Sequence, residues 1–180
     1  STVNYTIDTK EPVVSSVVMA DSALKVGETS TLTITFSEAV TGFDNSDLTL
    51  ANGTLTAVAS ADGGVTWTGT FTPTDDIEDA TNVIAVATGY SDLAGNAALV
   101  GASTANYTID TKEPVVSSVV MADSALKVGE TSTLTITFSE AVTSFDNTDI
   151  TLANGTLSTV ASADGGVTWT GTFTPTDDIE

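Results

Sequence analysis

The chain repeats itself almost without change. Residues 1–78 align without a gap with residues 103–180, and only six of these 78 pairs differ. All six differences are conservative: Val3/Ala105, Gly42/Ser144, Ser46/Thr148, Leu48/Ile150, Thr56/Ser158 and Ala57/Thr159. The offset of 102 residues is the length of one small domain rather than of a solenoid repeat. The sequence therefore predicts domains in series, an arrangement in which length and copy number matter to the function.

The phase of the repeat predicts where the domains begin and end. The segment 79–102 has no counterpart in the second copy. The segment Asn4–Asp8 recurs as Asn106–Asp110, immediately before the second copy begins. The expected domains are 1–8, the last strand of a preceding repeat; 9–110, a complete repeat; and 111–180, a second repeat lacking its final strands. On this interpretation the chain is a window on a longer tandem array.

Alternation of apolar and polar residues predicts strands throughout the repeat, and no helical period is present. In Thr31–Phe36 the apolar side chains share one face and the threonines the other, as in a half-buried antiparallel strand. Val65–Phe71 alternates in the same way, which places Trp67 in the core. Further strands are predicted at Val13–Met19, Asp47–Leu50, Thr54–Ser60, Asn82–Thr88 and Ala105–Ile109, with a copy of the last at Val3–Ile7.

Turn signals separate these strands. Asn52-Gly53 and Asp62–Gly64 are both typical of hairpin turns. Seven short strands at this spacing predict an all-β fold of tandem immunoglobulin-like β-sandwiches, with about seven strands per repeat and a truncated second copy. The joint Ile109–Val115 contains no Gly or Ser run, and Pro114 holds the preceding residue extended, so we expect a short, stiff connection.

The composition excludes several classes of function. The chain has 24 acidic and four basic residues, and it contains no Arg, His or Cys. We therefore expect no nucleic-acid partner, because too few cations are present to neutralise phosphates. No apolar run is long enough to span a bilayer, so membrane insertion is not expected. Without His or Cys the common catalytic triads and thiol nucleophiles are missing, and we expect no enzyme.

The acidic residues are predicted to gather at the ends of the sandwich. If successive strands alternate in direction, alternate loops meet at the end where the chain enters. The candidate metal ligands in the first copy are Asp8, Glu38, Asp44, Asp47 and Asp92. The candidates at the joint are Asp110, Glu113, Glu140, Asp146 and Asp149, with Asp75 and Asp76 facing them from the opposite end of the first repeat.

Carboxylates crowded in this way repel one another and favour a hard divalent cation. Ca²⁺ binds six to eight oxygen ligands in flexible geometry, whereas Mg²⁺ would keep more water. The absence of His and Cys disfavours zinc and copper sites, which use nitrogen and sulfur ligands. Asp44–Asp47 lacks the EF-hand spacing and its glycine, so the expectation of calcium rests on clustering and charge. Alternatively, any one of these acids is an ordinary turn residue, and we assign Asp21, Glu28 and Asp62 to that class.

Three short motifs resemble a known family. Phe36–Val40 (FSEAV), Asp92–Asn96 (DLAGN) and the joint Asp110–Pro114 (DTKEP) resemble the bacterial Ig-like tandem repeats of giant secreted, RTX-type surface adhesins. Joints in that family often have the sequence Asp-Thr-Thr-Ala-Pro, whereas this chain has Lys-Glu in place of Thr-Ala. The resemblance implies an exported stalk at the bacterial cell surface, often rigidified by calcium at its joints. It implies as ligands Asp8, Glu38, Asp44 and Asp92 in the first copy, and Asp110, Glu140 and Asp146 in the second.

Two functions remain open at this stage. The first is a structural extender of a surface adhesin or extracellular filament, whose partners are the neighbouring repeats and possible further copies in a filament. The second is a multivalent module that binds carbohydrate or another surface, which gains avidity from its copy number. The second function requires exposed aromatic side chains, and Phe43, in a predicted loop, is the best candidate.

Overall fold

A computed structural model describes residues 3–178 of the chain. It divides into two compact units, Ser1–Glu113 and Pro114–Glu180. Each unit is an all-β sandwich or part of one.

In its described residues, the first unit contains thirteen short strands and one 3-10 helix, Asn45–Asp47. The strands are β1 (Val14–Met19), β2 (Ala23–Lys25), β3 (Ser30–Phe36), β4 (Val40–Thr41), β5 (Leu48–Thr49), β6 (Gly53–Leu55), β7 (Ala59–Ser60), β8 (Thr66–Pro73), β9 (Glu78–Asn82), β10 (Ala85–Val86), β11 (Ser91–Asp92), β12 (Ala102–Ser103) and β13 (Tyr107–Asp110).

One layer of the first unit is a five-stranded antiparallel sheet. Its order is β1-β3-β8-β6, and β7 also pairs with β8. The predicted alternation of β3 is confirmed, since Leu32 and Ile34 are fully buried while Thr31 is exposed. The threonines on the outer face favour the extended backbone and remain hydrated, so this layer buries only one of its faces.

The opposing layer consists of three smaller groups of strands: β12-β10-β5, β11-β4 and β2-β13-β9. The last strand, β13, runs parallel to β2 and antiparallel to β9. Tyr107 and Ile109 of β13 are buried against the first layer, where the Tyr107 ring lies 5.5 Å from the Phe71 ring in an edge-to-face contact. This strand therefore closes one side of the core of the first unit.

The two predicted hairpin turns have different outcomes. Ser60 pairs with Trp67 across the turn at Asp62–Gly64, as predicted. The prediction of a hairpin at Asn52-Gly53 is wrong, because β5 pairs with β10 while β6 pairs with β8. Asn52 does adopt a left-handed backbone, with φ of 55°, and its turn carries the chain from one layer to the other.

The segment before β1 belongs to no strand. The strand predicted at Val3–Ile7 is absent, although the identical Asn-Tyr-Thr-Ile-Asp sequence at 106–110 contains strand β13. The difference follows from pairing, because a strand is stable only when its backbone groups have a partner.

Up to residue 178, the second unit has a 3-10 helix, Asn147–Asp149, and five strands. The strands are β14 (Val116–Met121), β15 (Ser132–Phe138), β16 (Gly155–Leu157), β17 (Ala161–Ser162) and β18 (Thr168–Pro175). They form one sheet, β14-β15-β18-β16 with β17 on β18, in the register of the first unit's large sheet. Among the described residues this unit has no strands that correspond to β9–β13.

Candidate metal centre

Three carboxylates meet at the end of the first unit where the chain enters it. Asp8, Glu38 and Asp92 each offer an oxygen atom, and these atoms all lie within 4.8 Å of one another. They come from three separate segments: the stretch before β1, the loop between β3 and β4, and strand β11. Residues far apart in the sequence are thus brought to one point by the fold.

Strand pairing explains how Asp92 comes to lie beside the loop that carries Glu38. Strand β11 pairs antiparallel with β4, and Asp92 is directly opposite Val40. Asp92 is only 2% exposed, although it is charged. Burial of a carboxylate is unfavourable unless it is hydrogen-bonded or paired with a cation, so this position requires partners.

Asn96 provides part of that partnership and also holds the entering segment. The Asn96 backbone N–H donates to Asp92 Oδ1 at 2.8 Å, and its side-chain amide donates to Asp92 Oδ2 at 2.7 Å. The same amide nitrogen donates to the backbone carbonyl of Asp8 at 3.2 Å. A tight turn makes this possible, because Gly95 adopts a φ of 95° that other residues rarely reach.

The local environment keeps the Asp92 carboxyl group ionised. Burial by itself raises the pKa of Asp92, but hydrogen bonds from Asn96, Gly95 and Ala94 outweigh it and hold the pKa below its ordinary value. Such donors favour the charged form, and both Asn96 N–H groups point at the carboxylate oxygens of Asp92. Asp92 is therefore negatively charged at neutral pH.

The arrangement fits a calcium ion by donor type and by spacing. Calcium–oxygen distances are about 2.3–2.6 Å, so oxygens that share one ion lie at most about 5 Å apart. The 4.8 Å limit on the separations among the three carboxylates satisfies this condition. The donor set is entirely oxygen, which suits a hard cation and does not suit zinc or copper.

The remaining candidates of the first copy have other positions. Asp44 caps the 3-10 helix by accepting from the backbone N–H of Ser46. Hydrogen bonding from the side chain and then the backbone of Ser46 lowers the pKa of Asp44. Asp47 is buried, and its Oδ2 accepts from the backbone N–H of Asp44. These two residues form a capping box, a local role that satisfies the helix start. They do not join the group of Asp8, Glu38 and Asp92.

Within neither unit do the candidates predicted around the joint form a further group of three acids among residues 3–178. Asp146 and Asp149 repeat the capping box of the first unit. The exposed candidates are Asp75, Asp76, Asp110 and Glu113, whereas Glu140 is half-buried. The Asp76 backbone N–H donates to the backbone carbonyl of Thr111.

The three acids assigned to turns do have turn contacts, which confirms that interpretation. Asp62 accepts from the backbones of Val65 and Thr66 and from the Ser60 hydroxyl. Asp21 accepts from Ala23, and Glu28 accepts from Lys25. Asn96 was not predicted as a site residue, although an Asn at the end of an Asp-Leu-Ala-Gly turn is a signal of local side-chain bonding.

The aromatic side chains do not form an exposed platform. Phe43 is buried, which contradicts its assignment as a surface aromatic, because it packs edge-to-face against Phe36, Trp67 and Tyr90. Of the eleven aromatic residues in the chain, Tyr5 alone is exposed among those described. No pair of exposed aromatics is therefore available in residues 3–178 to stack on a sugar.

The sequence matches a family of known proteins twice along its length. The family described as bacterial Ig-like domain matches residues 8–109 and again residues 110–180. No curated protein matches the chain. Within the described residues, no helix has the length and apolar character needed to cross a membrane.

Proposed function

Because the chain belongs to the bacterial Ig-like domain family, we propose that it is an extender segment of a giant, RTX-type bacterial surface adhesin or extracellular filament, rigidified by calcium at its joints. Domains of this family are typically repeat modules of surface proteins, with structural or binding rather than catalytic roles. Two matches in series on one chain are the arrangement that a stalk requires.

The observation that supports the calcium proposal most strongly is the origin of the three carboxylates. Asp8 lies in the segment that leads into the first unit, whereas Glu38 and Asp92 belong to the unit itself. An ion bound by all three would fix the direction of the entering segment relative to the sandwich. It would also neutralise repulsion among the three charges. A joint with a fixed direction keeps a tandem array extended.

The repeat extends this proposal to the next joint. Asp110 and Glu140 occupy the positions of Asp8 and Glu38 in the second copy. The DTKEP sequence of the joint is the same in both places, at 8–12 and 110–114. We propose that both joints bind calcium through these equivalent acids.

Thermal unfolding with and without calcium tests the proposal. In a chelating buffer the first unit should melt at a lower temperature than in millimolar calcium, because an ion that binds only the folded state stabilises it. At calcium concentrations about 100 times the dissociation constant, the expected rise in Tm is roughly 10 °C or more.

Two matched variants test whether the calcium-dependent rise in Tm comes from the three carboxylates. Glu38→Gln should remove most of the calcium-dependent rise, since it deletes one ligand charge from the group. Glu28→Gln makes the same chemical change at a turn residue that does not belong to the group, and it should leave the rise intact. An equal rise in both variants, or no rise in the unchanged chain, contradicts the calcium site.

A further inference from the structure

The large sheet carries no charged residue in either unit. Its five strands in the first unit, β1, β3, β6, β7 and β8, contain no Asp, Glu or Lys, and neither do their copies β14–β18. The opposing layer of the first unit does carry charges within its strands, at Lys25, Glu78, Asp79, Asp92 and Asp110. In a chain with a formal net charge of −20, one layer of the sandwich is therefore free of charge.

Hydroxyl groups take the place of charges on the outer side of this sheet. Paired threonines of β3, β6 and β8 share that side: Thr31 with Thr70, Thr33 with Thr68, Thr35 with Thr66, and Thr54 with Thr72. Val18 of β1 lies opposite Thr33 and is 51% exposed. The copies of these residues pair in the same way in the second unit, where Val120 is 54% exposed. The surface thus combines hydroxyl groups that can hydrogen-bond with methyl groups that can pack.

The distribution of charge indicates which kind of partner this surface suits. A cationic partner would bind better to the carboxylates elsewhere, and a neutral partner gains nothing from a surface that lacks them. An anionic partner can approach closely only where carboxylates are absent, because two like charges about 5 Å apart repel by roughly 3 kcal/mol at an effective dielectric near 20. The surface therefore suits a partner with the same sign of charge as the chain itself.

We propose that this surface docks on the same surface of a second copy of the chain. We name it the threonine face and define it as the outward side chains of β1, β3, β6 and β8 in the first unit, and of β14, β15, β16 and β18 in the second. A second copy is an anionic partner that offers an equally flat, uncharged sheet. Two sheets pack face to face about 10 Å apart, and a contact between identical surfaces is isologous.

The size of one threonine face determines how strongly it binds. Four strands about 4.8 Å apart, each with about six residues that rise about 3.3 Å, cover roughly 400 Å². A stable interface covers about 800 Å² on each partner, so a single face binds weakly and each further repeat that engages adds to the affinity. The proposal rests on the proposed stalk function only for the expectation that many copies stand side by side.

Sedimentation equilibrium of the full chain in a chelating buffer tests the proposal. The chelator removes calcium, so failure of the calcium site does not affect the result. The mean mass should rise with protein concentration, and it should rise more in about 1 M than in about 0.1 M NaCl, because salt screens the repulsion between charges outside the threonine face. A chain that stays monomeric in both salt concentrations overturns the proposal.

Matched pairs of substitutions separate this contact from association through other surfaces. Thr68→Asp combined with Thr170→Asp adds one charge to the threonine face of each unit and should weaken association by about tenfold or more, because the charges of the two copies would be brought together. Thr49→Asp combined with Thr151→Asp makes the same change in net charge outside the face, and it should weaken association by less than about twofold. All four threonines are exposed, so the substitutions add no buried charge.

Three outcomes of these experiments would overturn the proposal. The first is equal weakening by the two pairs, and the second is association that the pair on the threonine face leaves unchanged. The third is a chain that stays monomeric but binds the acidic polysaccharide alginate through this face, which would assign the face to an anionic polymer. If the first pair impairs folding, Thr70→Asp with Thr172→Asp places the same charges at exposed positions of the same face.

Discussion

The two units of this molecule have nearly the same sequence up to the end of their large sheet but bury it to different extents. Val17 in the first unit is 8% exposed, and its identical counterpart Val119 is 61% exposed. Phe71 is buried, while Phe173 is half-buried and lines a groove. The large sheet itself has the same strand order and the same register in both units.

The comparison separates what a local sequence determines from what a whole sandwich determines. The capping boxes at Asp44 and Asp146 are alike, because every contact within them lies a few residues apart. Burial differs because it depends on β9–β13, which supply the opposing layer in the first unit alone among the described residues. The hydrophobic core therefore belongs to the two layers together, not to the sheet that carries most of its side chains.

The largest expected effect comes from removing the side chain that closes the first core. Tyr107→Ala should lower the free energy of unfolding of the first unit by about 3–5 kcal/mol, because it leaves a cavity against Phe71. Urea unfolding in a Trp169→Phe background measures this, since Trp67 then reports on the first unit alone. Tyr5→Ala removes the same side chain from the same motif where it is exposed, and it should leave the free energy of unfolding unchanged. Equal losses in the two variants would contradict the account.

A smaller effect is expected on the shared sheet face. Val17→Ala should destabilise the first unit by about 2 kcal/mol, because a buried side chain is shortened. Val119→Ala should change the second unit by less than about 0.5 kcal/mol, because that position is mostly in water. The measurement is urea unfolding of each variant with a single tryptophan retained in the unit that carries it. If Val119→Ala costs as much as Val17→Ala, the second unit has a closed core.

A pH effect should be alike in both units, because its cause is local. Hydrogen bonds from the Thr66 backbone and the Ser60 side chain lower the pKa of Asp62 from 3.8 to about 2, and the equivalent bonds do the same for Asp164. A lowered pKa in the folded state stabilises the protein above about pH 4, and this contribution is lost as pH falls from 4 towards 2.

The variants Asp62→Asn and Asp164→Asn test this pH effect, because each replaces the titrating carboxyl group by a neutral amide. Each should flatten the fall of the urea midpoint between pH 5 and pH 2.5 in its own unit, to a similar degree. A change confined to one unit would show that the closed core, not the turn, controls the pKa.

The smallest effect concerns one of the six differing positions. Gly42 has a φ of 76°, and its counterpart Ser144 has a φ of 63°. A side chain is disfavoured in that region by about 1–2 kcal/mol, and this is partly offset by the extra freedom that glycine has when unfolded. Ser144→Gly should therefore stabilise the second unit by up to about 1 kcal/mol, and Gly42→Ser should destabilise the first by the same amount. Shifts of the same sign in the two units would contradict this explanation.

Local patterns were sufficient to predict the fold class but not every connection. The alternation in β3 and β8 predicted strands that the structure contains. The turn at Asn52 was misassigned, because the sequence of a turn does not say which strands its neighbours pair with. Phe43 was misassigned for a related reason: a loop position was assumed to be exposed, whereas an aromatic cluster buries it.

The candidate site was predictable only as a region. Alternating strand direction placed Asp8, Glu38 and Asp92 at one end, and the structure brings these three together. Strand direction could not separate these three acids from Asp44 and Asp47, because acids that cap a helix and acids that do not have the same sequence signal. The role of Asn96 depends on a contact with Asp8 across 88 positions, which no local pattern reveals.

Direct titration with calcium tests the central proposal of the account, that an ion joins the entering segment to the first sandwich. Isothermal titration of the chain should show calcium binding that Asp92→Asn weakens strongly and that Asp21→Asn, a change at a turn acid that does not belong to the group, leaves unchanged. Binding that is absent, or that is equally strong in both variants, would contradict the proposal.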